Sequence, residues 1–112
     1  MVEMDANAFR AWLSSFDPSA AVGWSSVECY CPLAVWLHRV YRQDFGVNAE
    51  YVWLDGEASC SFPAPSWVSH FVTDLDGWYG VDPTEVSAQE ALRVLDRVLV
   101  DEGMNDGGGR RV

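Results

Sequence analysis

The side chains best equipped for chemistry are Cys29, Cys31, Cys60, His38 and His70, set among a crowd of carboxylates. Four such soft ligands suffice for a tetrahedral zinc site. Zinc ribbons and knuckles keep two residues or more between paired cysteines, whereas only Tyr30 separates Cys29 from Cys31. Packing roles fit these thiols better, Cys60 against Tyr51 inside a hairpin and Cys31 at a helix entry, in keeping with the buried habit of cysteine. Calcium fares no better. Asp74, Asp76 and Glu85 take the first, third and twelfth places of an EF-hand register, but Trp78 and Tyr79 stand where the loop needs an oxygen ligand and a glycine. For nucleophilic catalysis, Ser69 adjoins His70 yet points about 100° away around a helix axis. Nothing resembles a nucleophile elbow, and Gly107, Gly108 and Gly109 precede no helix that would make them a phosphate loop. All seven bases are Arg, so no lysine is present for Schiff-base or acyl chemistry. The chain reads as non-enzymatic, with neither metal nor cofactor.

The carboxylates are the stronger signal. From Gln43 to Leu92 there is no Lys or Arg, while Asp44, Glu50, Asp55, Glu57, Asp74, Asp76, Asp82, Glu85 and Glu90 all fall inside. Across the chain 17 acids oppose seven bases, for a formal net charge of −10. Tyr51, Trp53, Phe62, Trp67, Phe71, Trp78 and Tyr79 share the base-free stretch, so it belongs to a packed body and is no solvated acidic tail. Such a surface repels nucleic acid and anionic membrane and attracts basic partners. Binding of single-stranded nucleic acid needs a basic groove beside its aromatic rings, and this charge opposes one.

These side chains must be positioned by local elements, and the sequence marks most of them. Asp5 is an N-cap for a helix whose buried stripe is Phe9, Trp12, Leu13 and Phe16, and Asp17-Pro18 ends it. Ser19 to Val22 read as one more turn, closed by Gly23. Cys31-Pro32 opens a second helix with Leu33, Trp36, Leu37, Val40 and Tyr41 inward, ended by Gly46. The period then changes to two. Ala49–Leu54 and Glu57–Phe62 flank Asp55-Gly56, the signature of a two-residue hairpin. That turn pairs Trp53 with Ala58, Tyr51 with Cys60 and Ala49 with Phe62 on one apolar face. Val27 to Tyr30 is the local candidate for a third strand. Pro63-Ala64-Pro65 launches a third helix, carrying Trp67, Phe71 and Leu75 inward and ending at Asp76-Gly77. Trp78 and Tyr79 then fall in a loop. Ser87-Ala88-Gln89-Glu90 is a capping box for a last helix with Leu92, Leu95, Val98 and Leu99 inward, and Gly103 closes it.

The 112 residues therefore predict one small α+β domain over 1–103, four helices on a β-hairpin or short antiparallel sheet in the order α-α-β-β-α-α, with a flexible Gly-rich tail over 104–112. The acidic start and the odd number of cysteines suit reduced thiols in a cytoplasmic protein. The longest apolar run, Pro32 to Leu37, is far short of the ~18 residues that span a bilayer.

The segments Cys31-Pro32-Leu33-Ala34-Val35-Trp36-Leu37 and Val86-Ser87-Ala88-Gln89-Glu90-Ala91-Leu92 resemble short bacterial and phage proteins of this size. The small, acidic, Trp-rich profile is similar in character to phage anti-CRISPR and other anti-defence inhibitors, a likeness of type that carries no site residues across. The reading that follows is a small binding protein whose acidic face occupies a basic, nucleic-acid-binding surface of a partner. Nine carboxylates on one face would match roughly 15 Å of duplex. Its expected contact residues are Glu50, Asp55 and Glu57 at the hairpin tip, and Asp74, Asp76, Trp78, Tyr79, Asp82 and Glu85 at the junction of the last two helices. The alternatives are a nucleotide-binding module built on Trp78 and Tyr79 with helix N-termini as the anion site, and a homodimer formed through the hairpin edge.

Overall fold

Phe9 is the hub of the core. It is fully buried and meets the rings of Trp36, Phe71 and Trp67 at centroid separations of 5.1, 5.4 and 5.9 Å. A computed structural model describes residues 3–54, 57–80 and 82–103, without the side chains of 57–60. Its elements run α1 (Ala6–Ser14), β1 (Ala21–Trp24), α2 (Pro32–Tyr41), β2 (Phe45–Val47), β3 (Tyr51–Leu54), β4 (Glu57–Pro63), α3 (Ser66–Tyr79), β5 (Glu85–Ser87) and α4 (Ala88–Asp101). The α+β class and the four helices are as expected. The order is not, because three strands beyond the hairpin interleave with the helices. A radius of gyration of 13.5 Å, close to the ~13 Å of a folded chain this long, makes it one compact body. The tail at 104–112 and Asp55 lie outside the described residues.

The helix starts follow local chemistry. Asp5 accepts from the Asn7 N–H at 2.9 Å, and Pro32 takes the first turn of α2 with Cys31 as its N-cap. Ser87 and Glu90 form the reciprocal capping box of α4. Two helix ends differ from expectation. Arg42, left-handed at φ 60°, ends α2 four residues before Gly46 and donates its N–H to the His38 carbonyl. Val40, expected inward, is exposed in that last turn. Helix α3 continues through Gly77 to Tyr79 and stops at Gly80, φ 87°. A mid-helix glycine costs about 1 kcal/mol, and at this end of α3 the Tyr79 hydroxyl donates to Glu90.

Segment 21–24 is a strand rather than a turn. It pairs antiparallel with β5, Gly23 opposite Val86 and Trp24 opposite Glu85. The carbonyls of Ala20 and Pro18 accept the first N–H groups of α4, from Ala88 at 2.8 Å and Gln89 at 2.9 Å. Those donors have no partner inside the helix, so this segment is held extended by α4's own end. Gly23 is required sterically, since a Cβ there would meet the Pro32 nitrogen and the Tyr30 carbonyl at 2.7 Å.

The second sheet has the order β2-β3-β4. Its third strand is Phe45–Val47, not Val27 to Tyr30, which touches it through one bond from the Val47 N–H to the Glu28 carbonyl. The hairpin register also departs from expectation. Leu54 lies opposite Glu57, as a two-residue turn requires, but Trp53 then faces Ser61, Val52 faces Phe62 and Tyr51 faces Pro63. Against the expected Trp53–Ala58 and Tyr51–Cys60 pairs the shift is three residues, an odd number, which exchanges the two faces of β3. Val52 is fully buried and Tyr51 is half exposed. Trp53 lies instead across Gly46 of β2, where a Cβ would sit 2.2 Å from its indole ring. The glycine read as a helix stop is in fact the floor under a tryptophan.

Candidate functional site

Helix α3 is a ridge with a hollow on either side. Thr73 lines both hollows. Asp74 and Asp76, two residues apart, point about 200° apart around the axis and so belong to different hollows. Asp76 lines a cleft of about 700 Å³ with Ser26, Glu28, Cys31, Asn48 and Val72. Asp74 and Trp78 line a hollow of about 300 Å³ with Gly77, Arg93, Val94 and Arg97.

The wall of the larger cleft is the loop between β1 and α2, pinned at several points. Ser25 is fully buried, gives its N–H to the Thr84 carbonyl at 2.8 Å and accepts the Thr84 N–H at 3.2 Å. Ser26 adopts φ 60°, unusual for a residue with a side chain. Asp76 accepts its N–H at 3.0 Å, and its hydroxyl donates to the Gly80 carbonyl at 3.1 Å. On the opposite lip Asn48 folds the β2–β3 turn by accepting the N–H groups of Glu50 and Tyr51 at 2.8 and 2.7 Å. Asn48 also donates to the Glu28 carboxylate at 3.4 Å. Glu28 and Asp76 thus hold neutral donors only, and among the described residues no Arg or His lines this cleft. At its floor the Cys31 thiol is pushed up to about 11 by burial, partly opposed by N–H groups of α2. It stays protonated at neutral pH and is no nucleophile.

Two other carboxylate clusters are already engaged. His70 meets Asp74 at 3.3 Å and Asp101 at 3.9 Å through Nε2, and Glu102 at 3.3 Å through Nδ1. Ser66 donates to Glu102 at 2.8 Å. The chain of contacts runs Ser–Glu–His, so the imidazole is not set against the hydroxyl as a general base. It clasps the start of α3 to the end of α4. Tyr79 donates to Glu90, which also serves the capping box. That phenol holds the Glu90 carboxyl below its usual range, while burial and then the carboxylate push Tyr79 up. Among the described residues no three His, Cys, Asp or Glu side chains gather as a metal-holding set.

The expected contact residues are therefore dispersed. Glu50 is exposed at the turn beside Asn48, Asp82 and Glu85 are exposed near the β1–β5 pair, and Tyr79 is partly buried. Trp78, expected in a loop, is a half-exposed side chain of the last turn of α3. Asp55 and the Glu57 side chain lie outside the described residues. Sequence reading missed Glu28, Ser26, Arg93 and Arg97. Glu28 lies outside the base-free stretch, and the left-handed Ser26 left no sequence signal. The Arg pair, by contrast, was visible as an i, i+4 repeat.

No family model matches the chain, and no curated protein or solved structure matches it. Its function must be read from its surface. Among the described residues no helix is long and apolar enough to cross a membrane.

Proposed function

We propose that this chain is a small non-enzymatic binding protein that engages a basic, nucleic-acid-binding surface of a partner protein. In this reading the cleft beside α3 receives one of the partner's arginine or lysine side chains. The observation that carries it is a pre-built cleft of about 700 Å³ bearing Glu28 and Asp76 and, among the described residues, no base. A carboxylate held by a neutral donor keeps its charge and spare acceptor sites, and a cation brought between two of them gains charge-assisted bonds. Exposed Glu50, Asp82 and Glu85 would add long-range attraction and speed encounter. An inhibitor of the phage anti-defence kind is the role such a surface would serve, since covering a basic surface denies it to nucleic acid.

The test is a titration with a labelled Arg/Gly peptide and with the same peptide carrying citrulline for arginine. Binding should weaken about tenfold when salt rises from about 50 to about 200 mM, and by about tenfold or more in the Glu28→Gln/Asp76→Asn double variant. Asn at 76 still accepts the Ser26 N–H, so the loop is retained. Equal affinity for the citrulline peptide, or no salt dependence, would sink the proposal.

A second reading rests on β4, a seven-residue strand paired on one side only among the described residues. Such an edge can pair with its copy to form a symmetric dimer. Light scattering that reports a monomer at high concentration would remove it.

A further inference from the structure

The smaller hollow on the other flank of α3 has the opposite chemistry. Thr73, Asp74, Gly77 and Trp78 form one face of α3, spaced by three and four residues, and oppose Arg93 and Arg97 of α4, one turn apart. Trp78 is 48% exposed, a large aromatic surface that the core leaves open. A Cβ at Gly77 would meet nothing within 4 Å, so the space beside the indole is open. In a chain with 17 acids, neither Arg93 nor Arg97 makes an ion pair within 4 Å among the described residues. Arg93 exerts only the weakest of the pulls that hold Glu90 ionised. Asp74, the one carboxylate in the hollow among the described residues, is engaged by His70.

We propose that this hollow is a binding site for a free nucleoside monophosphate, its phosphate held by Arg93 and Arg97 and its base stacked on Trp78. Two guanidinium forks at i, i+4 are about 5–6 Å apart at their Cβ atoms, more than the two oxygens of one carboxylate span. A phosphate monoester offers three terminal oxygens and two charges, enough for both forks. A flat ring is what an exposed indole stacks on, with no demand on base identity. Thr73 and Asp74 are placed to meet the hydroxyl groups of the sugar. The volume of about 300 Å³ is at the small end of ligand sites and suits one nucleotide, not a strand. The net charge of −10 opposes anions at long range, but beyond about 10 Å it is screened at 0.1 M salt. A polyanion would feel far more of it.

The site uses none of the carboxylates of the acidic cleft, so either reading can fail alone. Calorimetry with adenosine and uridine 5′-monophosphates should give saturable one-to-one binding, weakened about tenfold or more for adenosine and uridine. Arg93→Gln/Arg97→Gln and Trp78→Ala should each weaken it about tenfold or more, with circular dichroism confirming that these surface variants fold. Arg39→Gln, on α2 away from the hollow, should bind as the parent does. Unchanged affinity in the double arginine variant, equal binding of nucleoside and nucleotide, or tighter binding of a 5′-phosphorylated tetranucleotide than of the monophosphate would each overturn the assignment.

Discussion

The two flanks of α3 are built from one helix yet carry opposite electrostatics. On one side Asp76 joins Glu28 from a distant loop, and among the described residues no base lines the cleft. On the other, Asp74 is committed to His70, and two arginines of α4 set the local charge. Linear charge density does not separate these surfaces, because both acids lie in the same base-free run. Helical angle does: a two-residue step crosses the helix, and each carboxylate then takes the character of whatever packs beside it. An acidic sequence is thus sorted by its scaffold into a hollow lined by Glu28 and Asp76 and one lined by Arg93 and Arg97, the difference on which the two proposals rest.

If the scaffold does the sorting, damage to the common core must lower both surfaces together. Phe9 is fully buried beneath α2 and α3, and Phe9→Ala removes a ring with four aromatic neighbours. The expected loss is about 3–5 kcal/mol in urea unfolding, the largest effect of the set. Where the variant remains folded, both the Arg-peptide and the nucleotide affinities should fall no more than the unfolded fraction explains. Selective loss of one would mean that the two flanks do not share a single cooperative core.

A narrower change should break the comparison on one side. Gly46→Ala drives a methyl group into the indole of Trp53, at 2.2 Å before any shift. Overpacking of this kind costs about 1–3 kcal/mol, and here strain passes along β2 to Val47 and Asn48 on the lip of the acidic cleft. Peptide binding should weaken while nucleotide binding holds, since among the described residues none that lines the smaller hollow belongs to that sheet. Equal loss on both sides would make the sheet a support for both flanks.

How much of this was legible in the sequence follows the range of the interactions. Asp5, Cys31-Pro32 and Ser87/Glu90 announce their helices because a cap is satisfied within three or four residues. The β1–β5 pair joins segments more than sixty residues apart, and a four-residue strand carries too little pattern to reveal its partner. In the hairpin, Asp55-Gly56 signals the tip, yet three extra residues on β4 invert the face, and Trp53 lies over Gly46 of β2, a contact with no local signal. Gly77 reads as a stop because glycine usually is one, which puts Trp78 and Tyr79 in a loop by sequence. At the site, Asp76 and Trp78 are each legible in the sequence as single residues. Their separation by α3, and the arrival of Glu28 and Ser26 from a loop fifty residues earlier, depend on tertiary packing.

The smallest effect tests whether the end of α3, where the two flanks meet, is fixed by the Tyr79–Glu90 bond. Glu90 is held below its usual range by the Tyr79 hydroxyl first and by Ser87 after it, and Tyr79 is raised by burial and by Glu90. The two shifts stabilise the fold at opposite ends of the pH scale. A lowered carboxyl contributes stability that is present above the unfolded glutamate range, about 4.3, and is lost as pH falls through the folded value. A raised phenol contributes stability that is present below about pH 10 and is lost as pH rises through the folded value. Tyr79→Phe removes the phenol limb and most of the carboxyl limb, leaving the Ser87 contribution. The variant should be less stable by about 1 kcal/mol between about pH 5 and pH 9, with the difference shrinking toward both extremes. Urea unfolding across that range reads it directly. A difference that did not vary with pH would show that Tyr79 acts by packing alone, leaving Gly80 to end the helix and the ridge between the flanks unlocked.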